Sequence, residues 1–334
     1  MPVARGPQLT AWLLAGALAL AGCGGGSSPA PGGHSRTTGR SRASHASPAL
    51  RALTASSLGT LPAPVMDPAF AGLADGRIVL LGGITPAQTS TDGVLILNGG
   101  HASPAGTLPN AQHDAQAAAL GTSVYVFGGG QFSEYDHILR YDPAGAGTSQ
   151  AGSLPQAASD VAVASVGSTA YVVGGYNGTD FLDTILAWTP GGAPRVVGHL
   201  PAGLRYAAVT AAGNRLIIAG GTLASGPTDQ ILSFDPATGA VTSLGHLPVP
   251  LTHASAAFID GRVVVVGGRR QLDGDQTSAI LAIDPASGAV TTVGQLPQPL
   301  SDAAVAATGG RLVVAGGDDG NGAQASILAL TPQS

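Results

Sequence analysis

From Thr54 to Pro332 the chain alternates short apolar runs with clusters of Gly, Pro, Asp and Asn, and the alternation is periodic. Paired glycines end an apolar run at Gly82-Gly83, Gly128-Gly129, Gly174-Gly175, Gly220-Gly221, Gly267-Gly268 and Gly316-Gly317, spaced by 46, 46, 46, 47 and 49 residues. A Leu-Pro pair keeps step from Leu61-Pro62 to Leu296-Pro297. Each repeat decomposes alike. An Ala/Val run such as Asp302 to Thr308 is followed by a turn and a second apolar run such as Arg311 to Ala315, which the glycines close. A polar loop leads to a third run opening on Ile-Leu, as at Ile138-Leu139 and Ile280-Leu281, then to a turn and a short fourth run ending at Leu-Pro. Runs of about five residues bounded by such punctuation predict strands, four per repeat. The turns agree. Asp260-Gly261 and Gly309-Gly310 suit the positive φ of a two-residue hairpin, while Asp235-Pro236-Ala237-Thr238-Gly239 offers a capping Asp, a preset φ and a left-handed exit.

Six repeats of this length predict an all-β fold, a six-bladed β-propeller of four-stranded blades. The first two strands of each repeat are apolar on both faces, as a sheet sandwiched between neighbours requires. The sixth repeat stops at Thr331-Pro332-Gln333-Ser334 without a fourth strand, and the stretch Thr54 to Thr60 precedes Leu61-Pro62 without three strands of its own. The N-terminal strand is therefore expected to close the last blade, leaving no open edge in the ring. The glycine pair after aromatic and aliphatic residues, as in Tyr125-Val126-Phe127 and Tyr171-Val172-Val173, followed by Tyr141-Asp142-Pro143 or Phe234-Asp235-Pro236, resembles the kelch repeat over about Thr54 to Pro332. The Trp usual in that family's fourth strand is replaced by residues such as Val241 and Val290.

Upstream the pattern is different. Arg5 precedes an apolar run from Leu9 to Leu20, too short to span a bilayer, and Leu20-Ala21-Gly22-Cys23 resembles the lipobox of bacterial lipoproteins. That resemblance implies a signal peptide over 1–22 and acylation of Cys23, the only cysteine. Residues 23–52 lack hydrophobic periodicity and are dense in Gly, Ser, Pro and Arg, so they read as a flexible tether ahead of a propeller over 53–334. The expected address is the extracytoplasmic face of a bacterial cell membrane, held by the lipid.

Composition narrows the chemistry. With Gly 51, Pro 24 and only 10% charged residues in 334, neither a helix bundle nor a disordered chain fits. A single Cys excludes a disulfide framework, and the absence of Lys excludes Schiff-base catalysis. Antiparallel order places the fourth-to-first and second-to-third connections on one rim. Fourteen of the 19 acidic residues fall there with only Arg205, Arg269 and Arg270 against them, a formal balance of −11. Nucleic acid is repelled by such a face, whereas basic partners are favoured.

Six positions past each Leu of the Leu-Pro pairs stand Asp67, Asp114, Asp160, Tyr206, His253 and Asp302, expected to open the first strands and ring the channel mouth. Carboxylates spaced by whole blades do not form one compact coordination sphere, so no metal is expected and each Asp is read as holding its own loop. Aromatic residues gather on the same rim. Phe132, Tyr135, Tyr176, Phe181 and Tyr206, beside Asp136, Asp160, Asn177, Asp180 and Arg205, are the materials of a ligand site in which rings pack on apolar faces and carboxylates take hydroxyls or amines.

The reading is a non-catalytic, monomeric module without cofactor that binds a protein, a peptide or an envelope glycan. Two alternatives stand beside it: a carbohydrate-active enzyme, because kelch-like relatives include galactose oxidase and sialic acid epimerases, and a purely structural envelope protein. The oxidase's Cys-Tyr cross-link has no counterpart, since Cys23 lies upstream of the repeats. His113, His137, His253, Glu134 and Tyr206 form no recognisable catalytic spacing.

Overall fold

A computed structural model describes residues 50–333; the expected signal peptide, the acylation site Cys23 and nearly all of the tether lie outside the described residues. Among the described residues the secondary structure is strand, turn and bend, with no helix. Four antiparallel sheets of four strands follow one another along the chain. The first consists of Gln116–Leu120, Ser123–Phe127, His137–Asp142 and Gly147–Ser153. The others begin at the inner strands Ala162–Val166, Ala208–Ala212 and Ser255–Ile259 and keep the same strand order.

The first and last repeats depart from the expectation of separate four-stranded sheets. They are joined into one eight-stranded sheet running from the inner strand Ala69–Gly72 to the inner strand Ala304–Thr308, a nearly closed barrel. The join is a single parallel bridge, Thr60 to His101, next to Gly59 and Gly100, where the two backbones approach so closely that a Cβ on either glycine would strike the other chain segment. That strand, Leu53–Thr60, pairs antiparallel with Ser326–Pro332 from Leu53 opposite Pro332 to Thr60 opposite Ser326.

Hydrophobic clusters fill the spaces between successive sheets. Tyr125, Phe127 and Ile138 pack with Val163, Val172 and Trp188, the indole meeting the two aromatic rings edge-on at 4.9 and 5.5 Å. A corresponding cluster joins Val313 and Ile327 of the last repeat to Ile78, Leu80 and Leu97 of the first. The inner strands line a common channel of about 320 Å³ walled largely by Ala, with Gln116, Ser165, Thr210 and Ser255 as its polar members.

The glycine pairs are the clasps between repeats. In each pair the first glycine has φ between 61° and 68° and the second between 86° and 114°. The second donates its amide to a carbonyl of the following repeat: Gly83 to Gln112, Gly129 to Ala158, Gly175 to Leu204, Gly221 to Leu251 and Gly268 to Leu300, all at 2.8 to 2.9 Å. A Cβ on the first glycine would collide with that same carbonyl oxygen, and a Cβ on the second would come within 2.6 to 2.7 Å of another atom, so neither position accepts a side chain.

Candidate functional site

The residue just ahead of each channel-mouth position makes a two-way backbone bridge to the residue after its own glycine pair, as between Ser159 and Tyr176, Arg205 and Thr222, and Ser301 and Asp318. Anchored in this way, the next residue bends into the left-handed region. Asp67, Asp114, Asp160, Tyr206, His253 and Asp302 all have φ between 53° and 57°. They sit two residues ahead of the inner strands, where the sequence reading placed them at the strand openings. Left-handed backbone is uncommon for any residue but glycine, and six such bends at one place mark a built feature.

These bends turn the amides sideways, from repeat to repeat. Asp67 donates to the carbonyl of Asp302 at 2.8 Å, Asp302 to His253 at 3.0 Å, His253 to Tyr206 at 3.3 Å, Tyr206 to Asp160 at 3.1 Å and Asp160 to Asp114 at 2.8 Å. The circuit closes through a side chain, the Asp114 amide donating to Asp67 Oδ2 at 2.9 Å. The result is a continuous hydrogen-bonded girdle around the channel mouth, whose six side chains line a recess of about 50 Å³. The expectation that each Asp serves its own loop is corrected here, because Asp67 bonds the neighbouring repeat and Asp160 faces a guanidinium a full repeat away.

Burial sets the charges of the girdle. It drives Asp67 well above the usual carboxylate range, reinforced by the charge of Asp114 and by a hydrogen bond to it. Burial pulls Asp114 upward too, but hydrogen bonds from Asp67 and Asp160 and the nearby His113 and His253 outweigh it and hold Asp114 below its ordinary value. Burial and Asp114 push Asp160 up to about 7, against the opposing charge of Arg205. Burial likewise raises the Tyr206 phenol and lowers the His253 imidazole, so both are neutral near pH 7. Their rings stack at 3.7 Å with 25° between planes, and His253 Nδ1 lies 3.0 Å from Thr252 Oγ1. Of the two neighbours, Asp67 is thus the carboxyl that protonates more readily and Asp114 the one that ionises more readily.

Of the aromatic rim, only part assembles. The Arg205 guanidinium lies 5.2 Å from the Tyr176 ring centre, 5.1 Å from Phe181 and 4.6 Å from Tyr206, and its Nε is 3.0 Å from Asp160 Oδ2 without hydrogen-bond alignment. Tyr176 and Phe181 meet edge to face at 5.8 Å. The other candidates stand apart. Phe132 is 95% exposed at a loop tip, Tyr135 packs on His137 at 4.9 Å, and Asp136 is exposed. Asn177 accepts the amides of Thr179 and Asp180, so both Asn177 and Asp180 hold their loop in shape.

A second charged cluster escaped the sequence reading. Arg269 pairs with Asp302 and lies 3.5 Å from Asp318, donates to Ser301 Oγ at 3.1 Å and to the Leu272 carbonyl at 3.3 Å, and Gln276 completes the group on Asp318 at 3.1 Å. The register of Arg205 and Arg269, each on the same rim beside a girdle carboxylate, was the available signal.

Fold and site together define an all-β, propeller-like protein with a polar recess at one end of a small-residue channel. No family model matches the chain, and no curated protein matches it. Among solved structures, one described as "Structure of YjhT" superposes with a TM-score of 0.71 at 16% sequence identity, covering 83% of this chain and 97% of its own. At that identity the likeness speaks for the fold alone.

Proposed function

We propose that the chain is an exported, lipid-anchored, six-bladed kelch-type propeller that binds a protein, peptide or envelope glycan at its girdled mouth and catalyses nothing. One observation carries the reading: six left-handed residues from six repeats, joined in a hydrogen-bonded circuit, present four carboxyls, a phenol and an imidazole to one recess. Strain of this kind persists where the surrounding structure over-determines it, and it clusters at ligand sites. The test is binding of the full-length protein in detergent to glycan and peptide arrays, repeated with Asp67→Asn/Asp114→Asn. Signal lost in the folded variant supports the mouth as the site, and signal retained moves it elsewhere. The anchor is tested separately, since Cys23→Ser is expected to release the protein from membranes washed at high salt.

A second reading rests on Asp67 and Asp114. Adjacent carboxyls whose pKa values are driven apart are the pairing of acid and base that carbohydrate-active enzymes use. It predicts that incubation with reducing sugars yields an epimerised or eliminated product by NMR, abolished by Asp114→Asn.

A further inference from the structure

We propose that Arg205 is an anion subsite of the mouth, its outer guanidinium edge receiving the carboxylate of a ligand. This deepens the binding reading above and rests on it. The two rim arginines that flank girdle carboxylates differ in how their donors are used. Arg269 directs Nε to Ser301, Nη1 to Leu272 and Nη2 to Asp302, so each of its three nitrogens has an acceptor. The guanidinium of Arg205, among the described residues, donates no aligned hydrogen bond. Its Nε is buried facing Asp160, while the side chain remains 26% exposed.

The same side chain is nevertheless held in place. Its backbone is bonded both ways to Thr222 at 3.1 and 2.7 Å, three aromatic rings lie about its guanidinium, and Asp160, 3% exposed at the side chain, sits under Nε. An arginine held this way has little rotamer entropy left to lose, and its planar fork matches a carboxylate through two parallel N-H bonds. The rings orient the cation without satisfying its donors, which leaves the Nη edge for an oxygen ligand.

The acidic rim does not forbid such a ligand. Burial raises Asp67, brings Asp160 to about 7 and lowers His253, so it disfavours charge on these members of the girdle, and Asp160 faces the guanidinium at Nε, away from the Nη edge. A carboxylate reaches this place from a sugar acid or from a peptide C-terminus, and the two sources call for separate probes.

The experiment titrates the full-length protein by calorimetry with glucuronate against glucose, and with an N-acetylated dipeptide against its C-terminal amide. At least one acid is expected to bind about tenfold or more tighter than its neutral counterpart, the effect of a bidentate charged pair. The preference should vanish in Arg205→Met/Asp160→Asn, where the companion change avoids leaving a buried carboxylate unpaired. It should be reduced in Arg205→Lys, which keeps the charge and loses the fork. Thermal melts establish that the variants are folded. Equal binding of acid and neutral probes, no binding of any probe while the arrays are positive, or a preference surviving in the folded double variant overturns the subsite and leaves the binding reading standing. Arrays that are silent as well overturn both.

Discussion

The Gly317 amide donates to the Val65 carbonyl at 2.9 Å, joining the end of the sixth repeat to the beginning of the first by the clasp used between every other pair of repeats. The N-terminal strand also pairs with Ser326–Pro332, so closure has two fastenings: one in a sheet ladder and one at the glycine pair. The strand Ser326–Pro332 is thereby paired on its outer side and is no template on which another chain would add a strand.

The clasp predicts unequal costs for two glycine substitutions. Gly213 has φ 63° and open space where a methyl group would project, so Gly213→Ala should lose only the left-handed penalty, about 1 kcal/mol. Gly267 has φ 62° and a Cβ there would strike the Leu300 carbonyl, so Gly267→Ala should lose about 3 kcal/mol or more by urea unfolding. Equal losses would show that the carbonyl contact does not constrain the clasp.

Gln112 is fully buried, and neither its Oε1 nor its Nε2 has a partner among the described residues. At the corresponding place other repeats carry Leu204, Leu251 and Leu300. Replacing the unpaired amide by a side chain of similar size removes two unsatisfied groups, so Gln112→Leu should raise stability by about 1–3 kcal/mol. A lower melting temperature would mean that the amide has a partner in solution, such as water.

The girdle makes stability depend on pH. Asp160 is raised to about 7 in the folded protein, so its contribution is fully present below the unfolded carboxylate value and is lost as pH rises through about 7. Asp67, also raised by burial, acts in the same direction. Melting temperature should therefore fall between pH 5 and pH 8, and less steeply in Asp160→Asn, which cannot ionise. His253, lowered by burial, works the other way at the acid end, where its protonation opposes folding. An identical pH slope in wild type and Asp160→Asn would refute the assignment.

The six mouth positions were legible in the chain by counting past Leu-Pro, because local spacing within a repeat is preserved by the backbone. Their conformation was not, since Tyr206 and His253 carry no mark of a left-handed bend. Nor could the rim aromatics be sorted in advance: Phe132 and Phe181 have the same chemistry and similar loop positions, yet one is exposed at a tip and the other meets Arg205.

The periodicity of strands, turns and glycine pairs belongs to the sequence itself, because it follows from short-range physics: which residues tolerate positive φ, which cap a turn, and which runs are apolar on both faces. The joined first and last sheets, the opposed pKa shifts of Asp67 and Asp114, and the open edge of Arg205 belong to the tertiary structure. Each depends on groups a whole repeat or more apart, brought together by sheet packing, and on the burial that packing imposes on their charges.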